Sequence, residues 1–396
     1  MLFQALDNKQ ECIGVYHAGE LYFDQLPEGL TKTWGVTGLD LDNIEYACIY
    51  GGGKGMSEVC PENLKNKWEN LNYKFQAYLR SFKHAKISLH EHCFFDLVPH
   101  RFLLEYYSVA DKITEHVFET HEKPANYDFL VELIKFTNQL SRNRLVLDQN
   151  SLRPYMANLQ ARNLWRKFDT VSPYIRYNPF GTVTGRLSTS SNSFPILTLP
   201  KELRTVVKPK NDWLVEVDYN AAELRTLLAL SGKEQPKEDL HEWNRTNVYK
   251  GEGSRDDAKK RIFSWLYNPN SNDQLSSRIY ERNKVKTKYY DGAYVATDFG
   301  RKIECEDRVA LNYIIQSTTS DLVMSKVIEI NKMLKNTDSN IIFSMHDSFV
   351  IDLCSEDKPM LKEILKTFSD TRYGEYKVNL NIGRDFNEMK EVQWKQ

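Results

Sequence analysis

The chain has 396 residues, 41% of them hydrophobic and 27% charged, with a formal net charge of -1. That length can bury a large core and suggests two or three domains, while the near-zero charge excludes a globally basic chain, so any nucleic-acid surface has to be a local patch. No apolar run approaches the roughly 20 residues of a membrane span, and MLFQALDNKQ has neither the basic start nor the apolar core of a signal peptide, so an intracellular protein is expected.

In chain order, the first 120 residues read as strands (ECIGVYHA, EYACIYGG, AKISLHEH) alternating with a helical stretch near 62–84, an α/β pattern. Helices with a basic face follow over about 128–168, and YNPFGTVTGRLSTSSNSFPILTLP is turn material. Then come a strand at WLVEV, a helix at AAELRTLLALSG, a basic helical region, a long helix near 307–334, and two short strands in IIFSMHDSFVIDL, with His346, Asp347 and Ser348 at the bend between them. The six cysteines lie far apart, so reduced thiols are expected. GGGKGMS reads as a hairpin turn, since it lacks the GK-Ser/Thr of a phosphate loop. His90, His92 and Cys93 lack a second pair of ligands for zinc and are assigned a structural role.

Three constellations carry chemistry. Asp218 ends the WLVEV strand and Asp347 sits at the later bend. Strand-end carboxylates converging from neighbouring strands, with the Tyr219 carbonyl as a further oxygen ligand, suit two divalent cations, although Asp and Ser are also ordinary turn residues. In RDDAKKRIFSWLY, Arg255, Lys259, Phe263 and Tyr267 recur every four positions and form one drifting stripe on a helix. Cations followed by aromatics on one face suit the phosphates, sugar and base of a nucleotide, and equally an amphipathic helix with a basic flank. Between Arg245 and Lys302, thirteen Lys or Arg face seven Asp or Glu, and RIYERNKVKTKYYDGAY interleaves cations with tyrosines, which suits nucleic acid or a solvated face.

TGRLS (184–188), DYNAAELR (218–225), the Arg-Lys-Phe-Tyr stripe (255–267), RVALNYIIQ (308–316) and MHDS (345–348) resemble, in order and approximate spacing, the motifs of the family A DNA polymerases. The resemblance implies an α/β and α+β multidomain chain: a right-hand polymerase over 121–396, preceded over 1–120 by a degenerate RNase H-like 3′–5′ exonuclease domain. The thumb would cover about 121–175, the palm about 176–235 and 303–396, and the fingers about 236–302. It further implies that Asp218, Tyr219 and Asp347 hold two Mg²⁺ ions, for which Mn²⁺ can substitute. Arg255, Lys259 and His241 would meet the triphosphate, with Lys259 as general acid, Phe263 against the sugar and Tyr267 near the nascent base pair. Glu223, filling the space of a 2′-hydroxyl and paired with Tyr267, implies deoxynucleotides. Arg186, Arg308, Asn312, Gln316 and His346 would hold primer-template DNA, largely by shape. The implied protein is a monomeric, phage-type replicative enzyme of the host cytoplasm that takes dNTPs and touches no membrane.

Three departures qualify the resemblance. Ser348 stands where the DNA enzymes usually carry Glu and where the single-subunit RNA polymerases carry Ser. This leaves an RNA polymerase as one alternative and a catalytically degenerate nucleic-acid-binding protein as another. Only 45 positions separate Phe263 from Arg308, so the fingers are short, and Ser264 and Asn268 replace glycines of the usual helix. In the N-terminal region KTWGVTG places Thr33 and Gly35 where the exonuclease needs Asp and Glu. Asp96 in EHCFFDL and Asp111 in YSVAD match later carboxylates, so loss of proofreading is expected.

Overall fold

The computed structural model describes residues 1–9, 11–39, 41, 43–268 and 270–394, and the chain divides into two compact units, Met1–Ile134 and Lys135–Gln396. The division falls inside a helix, Tyr127–Arg142.

In the first unit, strands β1 (Gln4–Ala5), β2 (Gly14–His17) and β3 (Glu20–Phe23) form a three-stranded antiparallel sheet, while Lys32–Thr33 and Glu45–Tyr46 make a short parallel pair. Two long helices, α1 (Glu62–His84) and α2 (His100–Thr120), close a core that includes Trp68, Leu71, Phe94, Leu103 and Ile113.

Of two expected strands, one is cut short and the other is absent among the described residues. After the Glu45–Tyr46 pair, EYACIYGG turns into a helical turn, Ala47–Tyr50, which buries Ala47 and Ile49 and ends in the Gly51–Gly53 turn. AKISLHEH is consumed in ending α1: Lys86 takes a left-handed φ of +56°, its N–H bonds Lys83 O at 3.2 Å and Ile87 N–H bonds Phe82 O at 2.9 Å. This is a Schellman stop with lysine in the usual glycine position. The expectation of reduced thiols is corrected at one pair. Cys12 and Cys93, 81 positions apart, form a disulfide with a Cα–Cα distance of 5.6 Å, which also removes Cys93 as a zinc ligand; Cys48, Cys60, Cys305 and Cys354 are free and half-buried.

The second unit is built on a five-stranded antiparallel sheet. Its members are β4 (Trp213–Tyr219), β7 (Asn340–Met345), β8 (Ser348–Leu353), β9 (Val378–Gly383) and β10 (Lys390–Glu391), in the order β7-β8-β4-β9-β10. The small hairpin β5 (Tyr294–Ala296) and β6 (Lys302–Glu304) stands apart from it in sequence. Helices α3 (Ala222–Leu230), α4 (Arg255–Tyr267), α5 (Gln274–Tyr280) and α6 (Arg282–Tyr289) precede that hairpin, and α7 (Asp307–Met333) and α8 (Leu361–Ser369) follow it.

Alternation along β4 sends Tyr219 to one face and Glu216 and Asp218 to the other. The Tyr219 ring stacks on Phe368 of α8 at 3.9 Å, and its hydroxyl donates to Phe368 O at 2.5 Å. Leu214, Phe343, Met345 and Val350 pack against Phe194, Leu203 and Val207. The core of α3, α4 and α5 joins Leu224, Ile262, Trp265 and Tyr280 to Val295, Ile303 and Ile314. No described helix is long and apolar enough to cross a membrane.

Candidate active site

The sheet brings the two aspartates together. β4 is the central strand, pairing Asp218 with Ser348 on one side and Asn379 on the other. The β7–β8 turn consists of His346, at a left-handed φ of +51°, and Asp347. The Asp347 carbonyl accepts from Tyr219 N–H at 3.2 Å, which pins the turn to the end of β4. The turn is braced from within: Ser344 Oγ donates to Ser348 O at 2.9 Å, Ser348 Oγ to Met345 O at 3.1 Å, and Tyr177 Oη to Ser344 O at 2.7 Å. Ser348 therefore directs its hydroxyl to the hairpin backbone.

Both carboxylates are electrostatically uncomfortable without a cation. Burial, aided by the neighbouring charges of Asp347 and Glu216, pushes Asp218 up to about 7, against a 3.1 Å hydrogen bond from Asn379 Nδ2. Burial also raises Asp347, opposed by a backbone hydrogen bond and by the neighbouring His346, Arg186 and Lys259. Two half-buried carboxylates brought close together are a donor set that a divalent cation satisfies and a proton satisfies only in part.

Beside them, at the start of α3, Glu223 accepts from Arg186 Nη2 and from the Tyr267 hydroxyl. Ala221, in the left-handed region at φ +55°, turns the chain from β4 into that helix. Arg186 arrives from a loop whose Gly185 has φ +75°. Ser320 Oγ donates to Gly185 O at 3.0 Å, and a Cβ on Gly185 would lie 2.3 Å from Arg301 Nη2. Arg301 cannot easily yield, because it forms a bidentate pair with the buried Asp321 at 2.9 and 2.7 Å. Gly185→Ala is therefore expected to cost about 2–4 kcal/mol from the left-handed backbone and the collision together, read as a lowered thermal midpoint. Arg301→Ala should recover part of the collision term in the double variant.

Helix α4 starts at a capping box, with Ser254 and Asp257 exchanging bonds. Its stripe forms as the four-residue spacing requires. Phe263 and Tyr267 stack at 6.0 Å, and the ring of His241 lies 5.8 Å from Phe263. His241 is buried, its Nδ1 meets no partner, and burial lowers its pKa to about 4, so it is neutral at pH 7. Lys259 is exposed, and its charge acts on both Asp347 and His241. Arg255, expected at a triphosphate, pairs with Asp239 through Nε at 3.0 Å and Nη2 at 2.7 Å.

The candidate DNA contacts are less gathered. On α7, Arg308 is exposed and pairs with Glu306 at 2.7 Å, while Asn312 and Gln316 are half-buried one turn apart; none of the three bonds the carboxylate pair. His346 is exposed at the hairpin tip.

No protein-family model matches the chain. Over 272 residues, 55% of this chain and 33% of the relative's length, it is 24% identical to the thermostable DNA polymerase I of Thermus filiformis. Over 282 residues, 56% of this chain and 30% of the relative's, it is 23% identical to DNA polymerase I of Chloroflexus aurantiacus. The chain is thus similar in sequence, over about half of its length, to DNA polymerase I proteins of family A. It spans about a third of the length of these DNA polymerase I relatives. Its fold is similar to that of the POL domain of Pol1 from M. smegmatis, solved in complex with DNA primer-template and dNTP, with a TM-score of 0.58, 11% identity, and coverage of 72% of this chain and 76% of that one.

Several residues that shape this candidate site were missed in the sequence. Asn379 left one faint signal, alternating with Asn381 against Val378, Leu380 and Ile382 in the strand. Asp239 is visible as a helix cap but not as the partner of Arg255. Arg301 and Asp321 pair across 20 positions between a hairpin and the interior of α7.

Proposed function

We propose that this chain is a template-dependent DNA polymerase that adds dNTPs to a primer 3′-hydroxyl, serves viral DNA replication, and lacks proofreading. The reading is carried by the convergence of Asp218 and Asp347 beside Glu223, Tyr267 and the Arg-Lys-Phe stripe, in a fold similar to a polymerase domain. In this reading the sheet, α3, α7 and α8 form the palm, the α4–α6 region the fingers, and the helices before the TGRLS loop the thumb.

Asp218, Asp347 and the Tyr219 carbonyl would hold two divalent ions, Mg²⁺ by preference. Such ions lower the cost of bringing the primer oxygen to the α-phosphate and neutralise charge on the leaving pyrophosphate. The protein's own groups do the rest. Arg255 and Lys259 neutralise the phosphates, and Lys259 supplies a proton to the departing pyrophosphate. Neutral His241 contributes a hydrogen-bonding ring at the phosphates without adding a charge. Phe263 supports the sugar and Tyr267 the nascent pair, while Arg186, Arg308, Asn312, Gln316 and His346 hold the primer-template.

Glu223, held by Arg186 and Tyr267, forms a rigid floor under the sugar, and this favours DNA over RNA synthesis despite Ser348. Glu223→Ala should narrow the preference for dNTPs over rNTPs by about tenfold or more, measured as the ratio of incorporation efficiencies on a primed DNA template. Equal use of both nucleotide sets by the unaltered chain would instead support the RNA polymerase alternative.

The absence of proofreading is supported by Thr33 and Gly35 in place of carboxylates. Asp96 is exposed on a 3₁₀ turn, and Asp111, in the middle of α2, accepts from Gln4 Nε2 at 3.2 Å. The test is primer extension with dNTPs or rNTPs on a matched and a mismatched terminus. Template-directed dNMP addition with the mismatched terminus left intact is the expected result; its removal by the unaltered chain but not by Asp96→Ala or Asp111→Ala would overturn the proofreading part.

A further inference from the structure

Resting on the polymerase reading, we propose that Asp239 is a positioning residue that orients Arg255 toward the triphosphate, and that Asn220 carries this orientation from the strand bearing Asp218. The carboxylate of Asp239 is fully used. Oδ2 accepts from Asn220 Nδ2 at 2.7 Å and Arg255 Nη2 at 2.7 Å; Oδ1 accepts from Arg255 Nε at 3.0 Å and the Glu242 backbone N–H at 2.8 Å. Four bonds fill the four acceptor positions of a carboxylate, so Asp239 has no capacity left for a cation or substrate and serves as an anchor.

Arg255 is in the opposite state. Of its five N–H donors, two point to Asp239; the side chain is 44% exposed, and the adjacent Asp256 is at 3.7 Å, beyond hydrogen-bond length. Three donors therefore stay available on a guanidinium whose plane is already set. Planar, bidentate fixing of one edge of an arginine preorganises the other edge for phosphate oxygens.

The anchor is itself tied to the metal-site strand. Asn220 lies two residues after Asp218, and its Oδ1 accepts from Leu240 N–H at 2.8 Å. The fully buried Arg225 bonds Asn220 O at 2.7 Å, Pro236 O at 2.8 Å and Glu238 O at 2.9 Å, clamping the segment that leads to Asp239 onto the same turn. Through Asn220 and Asp239, the spacing between the carboxylate pair and the phosphate-facing cation is set by bonds within one module.

The test is steady-state single-nucleotide incorporation by the full chain, D239N, R255A and the double variant, with primer-template affinity measured alongside. D239N is expected to raise KM for the dNTP about tenfold while kcat and primer-template affinity change less than about threefold, and in the R255A background to add less than about twofold. An unchanged KM in D239N, an unchanged KM in R255A, or effects of D239N that multiply fully onto R255A would each overturn the positioning role while leaving the polymerase reading intact. Failure of the unaltered chain to extend any primer would overturn both.

Discussion

Asp218→Ala and Asp347→Ala are each expected to reduce primer extension by about 10³-fold or more and to leave primer-template affinity nearly unchanged, because each removes half of the carboxylate pair proposed to share divalent ions. The check is a gel extension assay run beside an equilibrium DNA-binding titration; a variant that still extends at a tenth of the original rate would refute the assignment. The conservative Asp218→Asn exposes the cost of the pair. With Asp218 raised to about 7 in the cation-free fold and near 3.9 when unfolded, the folded state holds a proton that the unfolded state has released. Cation-free stability is therefore present in full below about pH 4 and is lost progressively as pH rises toward 7, by at most about 4 kcal/mol for a shift of this size. In EDTA, thermal midpoints should fall between pH 5 and pH 8 for the unaltered chain and fall less for Asp218→Asn. Added Mg²⁺ should recover the former more than the latter.

Lys259→Ala is expected to slow incorporation by about 10²–10³-fold, the usual scale for losing a positioned acid that is also an electrostatic clamp. Lys259 is the cation of the stripe whose charge reaches Asp347, whereas Arg255 is turned to Asp239. Lys259→Arg separates the two contributions. It keeps the charge but holds its proton far more tightly, so it should restore dNTP binding without restoring the rate. Pre-steady-state incorporation measures both quantities, and full recovery of the rate by arginine would assign Lys259 a purely electrostatic role.

The identity of Ser348 matters to the choice of nucleotide only through what surrounds it. Its hydroxyl closes the hairpin onto Met345 O, while Glu223, Arg186 and Tyr267, proposed to face the sugar, bond one another independently of it. The feature that most resembled an RNA polymerase therefore lies in a turn-stabilising contact.

Where the chain's patterns are local, the sequence determined them unaided. Alternation put Asp218 at the end of β4, apolar flanks forced His346 and Asp347 to a bend, and spacing by four aligned Arg255, Lys259, Phe263 and Tyr267 on α4. Each depends on side-chain periods of two or 3.6 residues, which can be read without knowing any partner. Local reading failed where a segment's role was to end another element, as when AKISLHEH became the stop of α1. It failed also where a bond joins distant positions: Cys12 to Cys93, Asn379 to Asp218, Arg301 to Asp321, Arg255 to Asp239. Those pairings, and with them the elevated pKa of Asp218 and the aim of Arg255, were decided only by the tertiary structure, because burial and charge proximity are properties of the packed sheet and no single strand carries them.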